Sequence, residues 1–253
     1  MRPGLLPLAI GVLGALAVTP PALAQFDANL VPKYTIWDIR FGEPISQVPA
    51  AEIAEIACGT NGGPPSIGLK GFADYASCAV ESETGLHEVT FQYDDEAEYW
   101  ALAHNLQIYA DRFHGTKVGN HEVIASALFD DAGALRGIRA MTDDRTELRT
   151  RFTAYQLSEY IHQQYAPDPW TCIDLPVEEG ETPVAKRLIK QNCRGTTSDG
   201  RTLLIETRLL RRAGQQMIDP FSGEIRGDRF VASSRFELLD PSVSVPDDVG
   251  ADR

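Results

Sequence analysis

Alternation of apolar and polar side chains predicts most of the regular structure in this chain. The run from Leu86 to Tyr93 alternates strictly, which is typical of a strand with one buried face. An Asp-Asp-Ala-Gly turn at residues 130–133 separates two further alternating runs and predicts a hairpin. The predicted strands are Tyr34–Phe41, Leu86–Tyr93, Glu122–Phe129, Ala134–Met141, Leu203–Arg212 and Arg229–Leu239.

Apolar residues at helical spacing and capping residues predict three helices. The clearest one is stopped by Pro167 and Pro169. The predicted helices are Pro49–Ala57, a segment that begins at Asp94 or Asp95 and ends near Arg112, and Thr146–Tyr165. Strands outnumber helices and several neighbours look hairpin-connected, so we expect an α+β fold in which antiparallel sheets carry helices packed on one face.

The first 24 residues have the pattern of a secretory signal peptide. Arg2 precedes an apolar run, and the small-residue pattern Ala22-Leu23-Ala24 follows it. The apolar run is shorter than the roughly 18–20 residues that cross a bilayer, and no later segment is apolar enough to cross one. We therefore expect cleavage after Ala24 and a periplasmic or secreted mature chain without a membrane span.

An even number of cysteines in an oxidising compartment predicts disulfide bonds. The four cysteines are Cys58, Cys78, Cys172 and Cys193. Pairing of sequence neighbours, Cys58 with Cys78 and Cys172 with Cys193, is the favoured one of the three pairings that four cysteines allow. A redox or zinc site would need closer pairs such as Cys-x-x-Cys, and none occurs.

The two cysteine pairs have similar surroundings along the chain. Each shows a loop, an apolar segment, a cysteine, a polar turn and then a strand. This order favours two tandem similar units with one disulfide each, and coincidence between two loops is the alternative. The predicted organisation is a signal peptide (1–24), a first α+β unit (25–141), a second α+β unit (142–240) and a disordered tail (241–253).

Charge is distributed unevenly along the chain. The net charge is −13; residues 25–138 carry 17 acidic and 6 basic side chains, whereas residues 139–239 carry 15 of each. Such an acidic protein has no electrostatic reason to bind nucleic acid, and the excess charge also serves solubility. We therefore expect no nucleic-acid partner.

The more basic last third holds the candidate binding residues Arg208, Arg211 and Arg212. Their guanidinium groups are suited to bind a carboxylate or an acidic partner with two hydrogen bonds. Two other roles stay open for them. They could protect an exposed sheet edge, or they could pair with the acidic first half of the same chain.

No motif in the sequence assigns a catalytic residue, a metal ligand or a cofactor. Neither His87-Glu88 nor His121-Glu122 has the second histidine of His-Glu-x-x-His. There is no Gly-x-Ser-x-Gly elbow, and the glycines at 59–63 lack the ending of a phosphate loop. The acidic run 94–98 is contiguous and is explained by the start of a helix rather than by calcium.

Two segments resemble known envelope domains. The run Tyr34–Phe41 with its Gly42-Glu43-Pro44 exit, and the hairpin Leu128–Leu135, resemble the β-lactamase-inhibitor-protein type and the outer-membrane-assembly-lipoprotein type. The resemblance covers about a third of the chain and implies binding to other proteins. This chain has no lipidation cysteine after the cleavage site, and no binding residue is carried over. As a whole, the chain also resembles exported bacterial proteins, which implies no activity.

The favoured function is a non-catalytic periplasmic binding or interaction protein whose partner is another envelope protein. Two alternatives stay open. One is a secreted hydrolase with a site around His87, His104, His114 and His121. The other is a small-ligand carrier, which needs an enclosed apolar pocket.

Overall fold

The structure is a computed structural model that describes residues 41–42, 53–94, 96–105, 116–165 and 170–245. The predicted signal peptide, nearly all of the predicted strand Tyr34–Phe41 and the end of the predicted helix near Arg112 lie outside these residues. The strands are β1 (Ile53–Cys58), β2 (His87–Tyr93), β3 (Lys117–Val118), β4 (His121–Phe129), β5 (Leu135–Thr142), β6 (Trp170–Asp174), β7 (Ile189–Thr196), β8 (Thr202–Leu210) and β9 (Val231–Leu239). The helices are α1 (Glu96–Ala103), α2 (Leu148–Thr153) and α3 (Leu157–Tyr165), with 3₁₀ turns at Phe72–Ser77 and Ala154–Gln156.

The strands form one antiparallel sheet with a symmetric order. Its strands follow the order β1-β2-β4-β5-β9-β8-β7-β6, and the short β3 pairs with β4 outside this row. Each half of the chain therefore contributes four strands to this row, and these four run back and forth in sequence order. The two halves meet where β5 pairs with β9, from Gly137 opposite Leu239 to Met141 opposite Arg235.

The expected α+β fold with helices packed on one face is wrong. The described residues are mostly antiparallel sheet, with 41% strand, 16% helix and three short helices. Two of the helical predictions account for the error. The predicted helix Thr146–Tyr165 is divided into α2 and α3 by a 3₁₀ turn, because Thr153 has ψ near 0° and leaves the helical path.

A bulge explains why the predicted helix Pro49–Ala57 is a strand over its described part. Ile53 and Ile56 are three residues apart, which is helical spacing. In β1 the register shifts between Ile53 and Glu55, so that Ile53 lies opposite Tyr93 and Ile56 opposite Phe91. The extra residue of the bulge brings both isoleucines to the core side of the sheet, where they pack against buried residues.

One face of the sheet carries the main hydrophobic core. Cross-strand neighbours such as Phe91, Ala125, Ala140, Phe236 and Ile205 lie side by side across β2, β4, β5, β9 and β8. All five are buried in a single cluster that takes residues from both halves of the chain. Leu157 and Ile161 of α3 join the same cluster.

The predicted hairpin at residues 122–141 is confirmed as β4 and β5. Asp130 organises its turn, since its Oδ1 accepts hydrogen bonds from the amides of Ala132 and Ala134 at 3.0 and 2.9 Å. Gly133 has φ +78°, a conformation that favours glycine. The strands predicted over residues 86–93, 203–212 and 229–239 are likewise confirmed as β2, β8 and β9.

Both predicted disulfides are confirmed. Cys58, at the end of β1, is bonded to Cys78, and Cys172 of β6 is bonded to Cys193 of β7. Each bond therefore involves the outermost strand of one half of the sheet. The division into two units stays a prediction, and its boundary after residue 141 falls at the end of β5.

Residues 241–245 of the predicted tail lie against the sheet, and the rest of that tail is outside the described residues. Val245 is buried and Val243 is partly buried beside Leu86, Leu128 and Leu239. These contacts cover one end of the face opposite to the main core.

Candidate interaction surface

The face opposite to the main core carries a row of buried charges. Arg139 of β5 is at its centre, and its side chain is only 1% exposed. The guanidinium contacts Glu237 of β9 at 2.7 Å, Glu81 at 2.6 Å and Glu88 of β2 at 3.0 Å. One arginine thus links two strands and the loop that precedes β2.

The row continues toward β8. Arg235 binds Glu237 on the same strand and lies 3.9 Å from Glu206, which in turn lies 3.8 Å from Arg208. Burial alone would raise the pKa of Glu237, but the charges of Arg139 and Arg235 outweigh burial and lower this pKa to about 2. Burial opposes the charge of Arg139, but the carboxylates of Glu237, Glu88 and Glu81 outweigh it and raise the pKa of Arg139. Arg139 and Glu237 are therefore charged, paired and closed off from solvent.

The three arginines proposed as binding residues occupy different environments. Arg208 is buried, and its Nη1 donates to Asn192 Oδ1 at 2.8 Å and to the Gln191 carbonyl at 2.9 Å. Arg211 is also buried and donates to the Pro183 carbonyl at 2.8 Å. Arg212 is exposed. Two of the three arginines are therefore buried and form hydrogen bonds within the protein.

The histidines do not converge in the described parts of the chain. His87 is buried between the Cys78 carbonyl at 2.7 Å and Asp131 Oδ1 at 3.1 Å. His104 stacks on Trp100, and burial lowers the pKa of His121. His114 lies outside the described residues. Within the described ranges, no three histidine, cysteine, aspartate or glutamate side chains are grouped so that they could hold a metal ion.

A depression of about 1160 Å³ runs along β1 and β2. Ile56 and Phe91 line it together with charged residues from the segments around it, such as Glu55, Lys117 and Arg145. A carrier site is typically enclosed and mostly apolar, with few polar groups. This depression has a mixed lining and gives no specific support to the carrier alternative.

The connection between β8 and β9 holds a surface that the sequence analysis did not identify. We define the apolar tip as Met217, Ile218, Phe221 and Ile225. Phe221 is 98% exposed and Ile225 is 73% exposed, while Met217 and Ile218 are each more than half exposed. Four large apolar side chains in one nine-residue stretch thus face solvent at the end of the sheet.

Hydrogen bonds hold the apolar tip in a defined shape. The carboxylate of Asp219 accepts from the amides of Phe221 and Ser222 at 2.9 and 3.0 Å. These backbone bonds, first that of Ser222, together with Arg226 lower the pKa of Asp219. The Asp219 amide bonds the Glu224 carbonyl, and Ile218 pairs with Ile225 as a short antiparallel bridge. Phe221 is therefore displayed on a small hairpin.

Helix α2 supports the base of this hairpin. Arg151 donates a hydrogen bond to the Asp228 carbonyl and lies 4.9 Å from the centroid of the Phe230 ring. Phe152 packs edge-to-face on Phe230 at 5.8 Å, and Leu148 one turn earlier on α2 is half exposed. Apolar side chains of α2 thus lie at the same end of the sheet as the apolar tip.

A weak sequence signal for the tip existed. Apolar residues flank an Asp-Pro-Phe-Ser-Gly turn at residues 219–223. The 16 residues between the two predicted strands, 213–228, are typical of an ordinary loop because they contain three glycines and one proline. Only the structure shows that four of its apolar residues are more than half exposed.

Among the described residues, no helix is both long and apolar enough to span a membrane. Comparisons of the chain with protein-family models, with curated proteins and with solved structures gave no match.

Proposed function

We propose that the protein is a non-catalytic binding protein of the bacterial periplasm that docks its apolar tip into a pocket of another envelope protein. The observation that carries this proposal is the 98% exposure of Phe221 on a hydrogen-bonded turn. Ordered exposure of a large aromatic side chain is typical of an anchor residue at a protein interface.

The rigidity of the turn supports a binding role. Ordering a flexible loop at an interface costs free energy, and a loop that is already ordered avoids most of that cost. Asp219 holds this turn in place through backbone amides and through Arg226 at 3.1 Å. Aromatic residues and methionine are also enriched at protein interfaces, and the tip contains both.

The local charge favours a protein as the partner over nucleic acid or an anionic lipid surface. Residues 212–229 contain three arginines and three acidic residues, so this segment is neutral within a chain of net charge −13. Neither the segment nor the whole chain attracts nucleic acid or an anionic lipid surface. An apolar pocket on a protein fits a neutral apolar hairpin.

The two disulfides support a location outside the cytoplasm, because such bonds persist in oxidising compartments. The periplasmic assignment rests in addition on the signal pattern of residues 1–24. This signal pattern predicts that the mature protein begins at Gln25. Mass spectrometry of the protein from its native host measures its first residue directly. A mature chain that retains residues 1–24 contradicts it.

Cross-linking of the mature protein in its native periplasm tests the binding role. The variant Phe221→Ser removes the anchor, and Val177→Ser is the matched control because Val177 is 56% exposed in the β6–β7 connection. We expect one reproducible protein partner with the parent and with Val177→Ser.

Binding of that purified partner should be at least about tenfold weaker for Phe221→Ser, since loss of a central anchor costs about 2 kcal/mol or more. Equal binding by the two variants contradicts the assignment of the tip. No captured partner with either protein contradicts the proposed function.

A further inference from the structure

The two outer edges of the sheet are protected differently. At β1, the neighbouring segment 66–69 covers the edge: Cys58 donates to the Ile67 carbonyl at 2.8 Å, and Leu69 donates to the Ile56 carbonyl at 3.0 Å. At β6, the row of strands ends, and no described residue pairs with the outer side of this strand. An open edge offers unpaired backbone groups to another strand.

The register of β6 identifies the groups that face outward. Cys172 lies directly opposite Cys193, with their Cα atoms 4.0 Å apart, which is the spacing of a pair that exchanges no backbone hydrogen bonds. The Leu175 amide donates to the Lys190 carbonyl at 2.7 Å, which confirms that the odd-numbered residues of this segment are the ones bonded to β7. The N–H and C=O groups of Trp170, Cys172 and Asp174 therefore point away from β7.

This edge is short and carries one charged side chain, but it lacks the other usual devices against pairing. β6 contains no lysine, no proline and no bulge, and Ile173 is 41% exposed. Asp174 is its single charged side chain and accepts a hydrogen bond from Gln191 at 2.9 Å. The disulfide to Cys193 ties this short strand to β7, so the edge is held in an extended conformation.

We propose that the edge of β6 pairs with β6 of a second copy of this chain, so that two sheets join into one across a two-fold axis. The strand is self-complementary about Cys172. In an antiparallel pair centred there, Cys172 faces Cys172 of the other copy, and Trp170 exchanges hydrogen bonds with Asp174. Thr171 faces Ile173 on the opposite side of the sheet. No like charges meet, and a closed two-fold pair leaves no further edge at this interface.

The acidity of the chain gives this dimer a salt dependence. Each copy has a net charge of −13, so the two copies repel each other. Added salt screens that repulsion, and we expect tighter association at high ionic strength. An acidic edge that instead binds a basic peptide would show the opposite dependence on salt.

A pair of proline variants tests the proposal. Asp174→Pro removes an outward N–H and leaves the backbone hydrogen bonds to β7 intact, because proline is tolerated on an edge strand where its nitrogen faces solvent. Glu179→Pro is the matched control. Glu179 occupies the second position of a turn in which Glu181 donates to the Glu178 carbonyl and Gly180 has φ +87°, a turn that favours proline there. Each variant removes one acidic charge.

Sedimentation equilibrium of the mature protein should show a monomer–dimer equilibrium that tightens with salt. We expect the dissociation constant to rise about tenfold or more for Asp174→Pro, since each copy loses a donor, and to stay within about twofold for Glu179→Pro. In the parent protein, exchange of the Cys172 amide should slow as concentration rises, whereas the Ile173 amide, already bonded to β7, should change little.

A protein that stays monomeric up to millimolar concentration overturns the proposal. A dimer that weakens with salt, or one that Asp174→Pro and Glu179→Pro leave equally stable, overturns it as well. Because exchange at Cys172 is measured without a variant, a folding defect of Asp174→Pro leaves the proposal testable.

Discussion

Arg139 shows how much depends on single buried residues in this sheet. Its guanidinium is surrounded by three carboxylates that lie far from it in sequence, and Glu237 is 98 residues away. A charge taken from water is stable in such a place only when its partners compensate for the lost hydration. The three glutamates therefore depend on Arg139 as much as Arg139 depends on them.

Replacement of Arg139 by methionine should lower the free energy of unfolding by about 3–5 kcal/mol, because it leaves carboxylates buried without their partner. Arg145→Met is the matched control. Arg145 is 73% exposed and pairs with Asp143 at 2.7 Å, and such surface pairs contribute at most about 1 kcal/mol. Urea unfolding followed by circular dichroism measures both values. Equal losses in the two variants would contradict the structural role of the buried row.

Acid should destabilise the protein through Glu237. Its pKa is lowered to about 2 in the folded state from an ordinary value of 4.5. The stability that this carboxylate contributes is fully present above about pH 4.5 and is lost as the pH falls toward 2. Asp130 and Asp240, whose pKa values are also lowered, act in the same direction.

The measurement is the free energy of unfolding between pH 6 and pH 2 for the parent and for Glu237→Gln. We expect the parent to lose stability in this window and the variant to show a shallower dependence on pH. A parent protein whose stability is constant down to about pH 2 would contradict the assignment.

At the scale of elements, sequence patterns predicted the strands whose two faces differ in polarity. β2, β4, β5, β8 and β9 bury apolar residues on the core side, and their alternation is visible in the sequence. The sequence analysis did not predict β7. The face of β7 opposite to the main core buries Lys190 and Asn192, so the polar residues of this strand do not mark an exposed face. β6 was missed because most of it is exposed and it shows no alternation.

The candidate surface was less predictable than the fold. Exposure of Phe221 depends on where a hairpin leaves the sheet, and no periodic pattern in residues 213–228 encodes this. The burial of Arg208 and Arg211 depends on Asn192 and Pro183, which belong to other segments. The sequence shows that these are residue types suited to a binding site, but it does not show whether their side chains reach the surface.

The disulfide between β6 and β7 makes a prediction at the element scale. A Cys172→Ser/Cys193→Ser double variant should lose about 3 kcal/mol of stability, the value expected for a loop of this length. Within one copy, β7 is the one strand that pairs with β6 among the described residues, so the β6 amides should lose protection first. Hydrogen exchange should accelerate at Thr171 and Ile173 more than in β4 and β5. Uniform acceleration across the sheet would contradict a local role for this bond.

For the whole molecule, the shared core predicts cooperative unfolding. The main cluster contains Phe91 and Ile138 from the first half together with Ile205 and Phe236 from the second. Neither half buries this surface alone, so we expect a single thermal transition. Scanning calorimetry should give equal calorimetric and van't Hoff enthalpies. Two separate transitions would show instead that the halves are independent domains.

The place of β9 in the sheet also determines when the protein can finish folding. β9 is the last of the described strands in sequence, yet it lies between β5 and β8 and bonds to both. Until it emerges, β5 and β8 are two open edges, and Arg139 lacks Glu237. A growing chain therefore has no complete sheet at any earlier stage of its synthesis. Late completion keeps the polypeptide loose for longest, which agrees with the export that we propose, since an exported chain is threaded through a translocation channel before it folds.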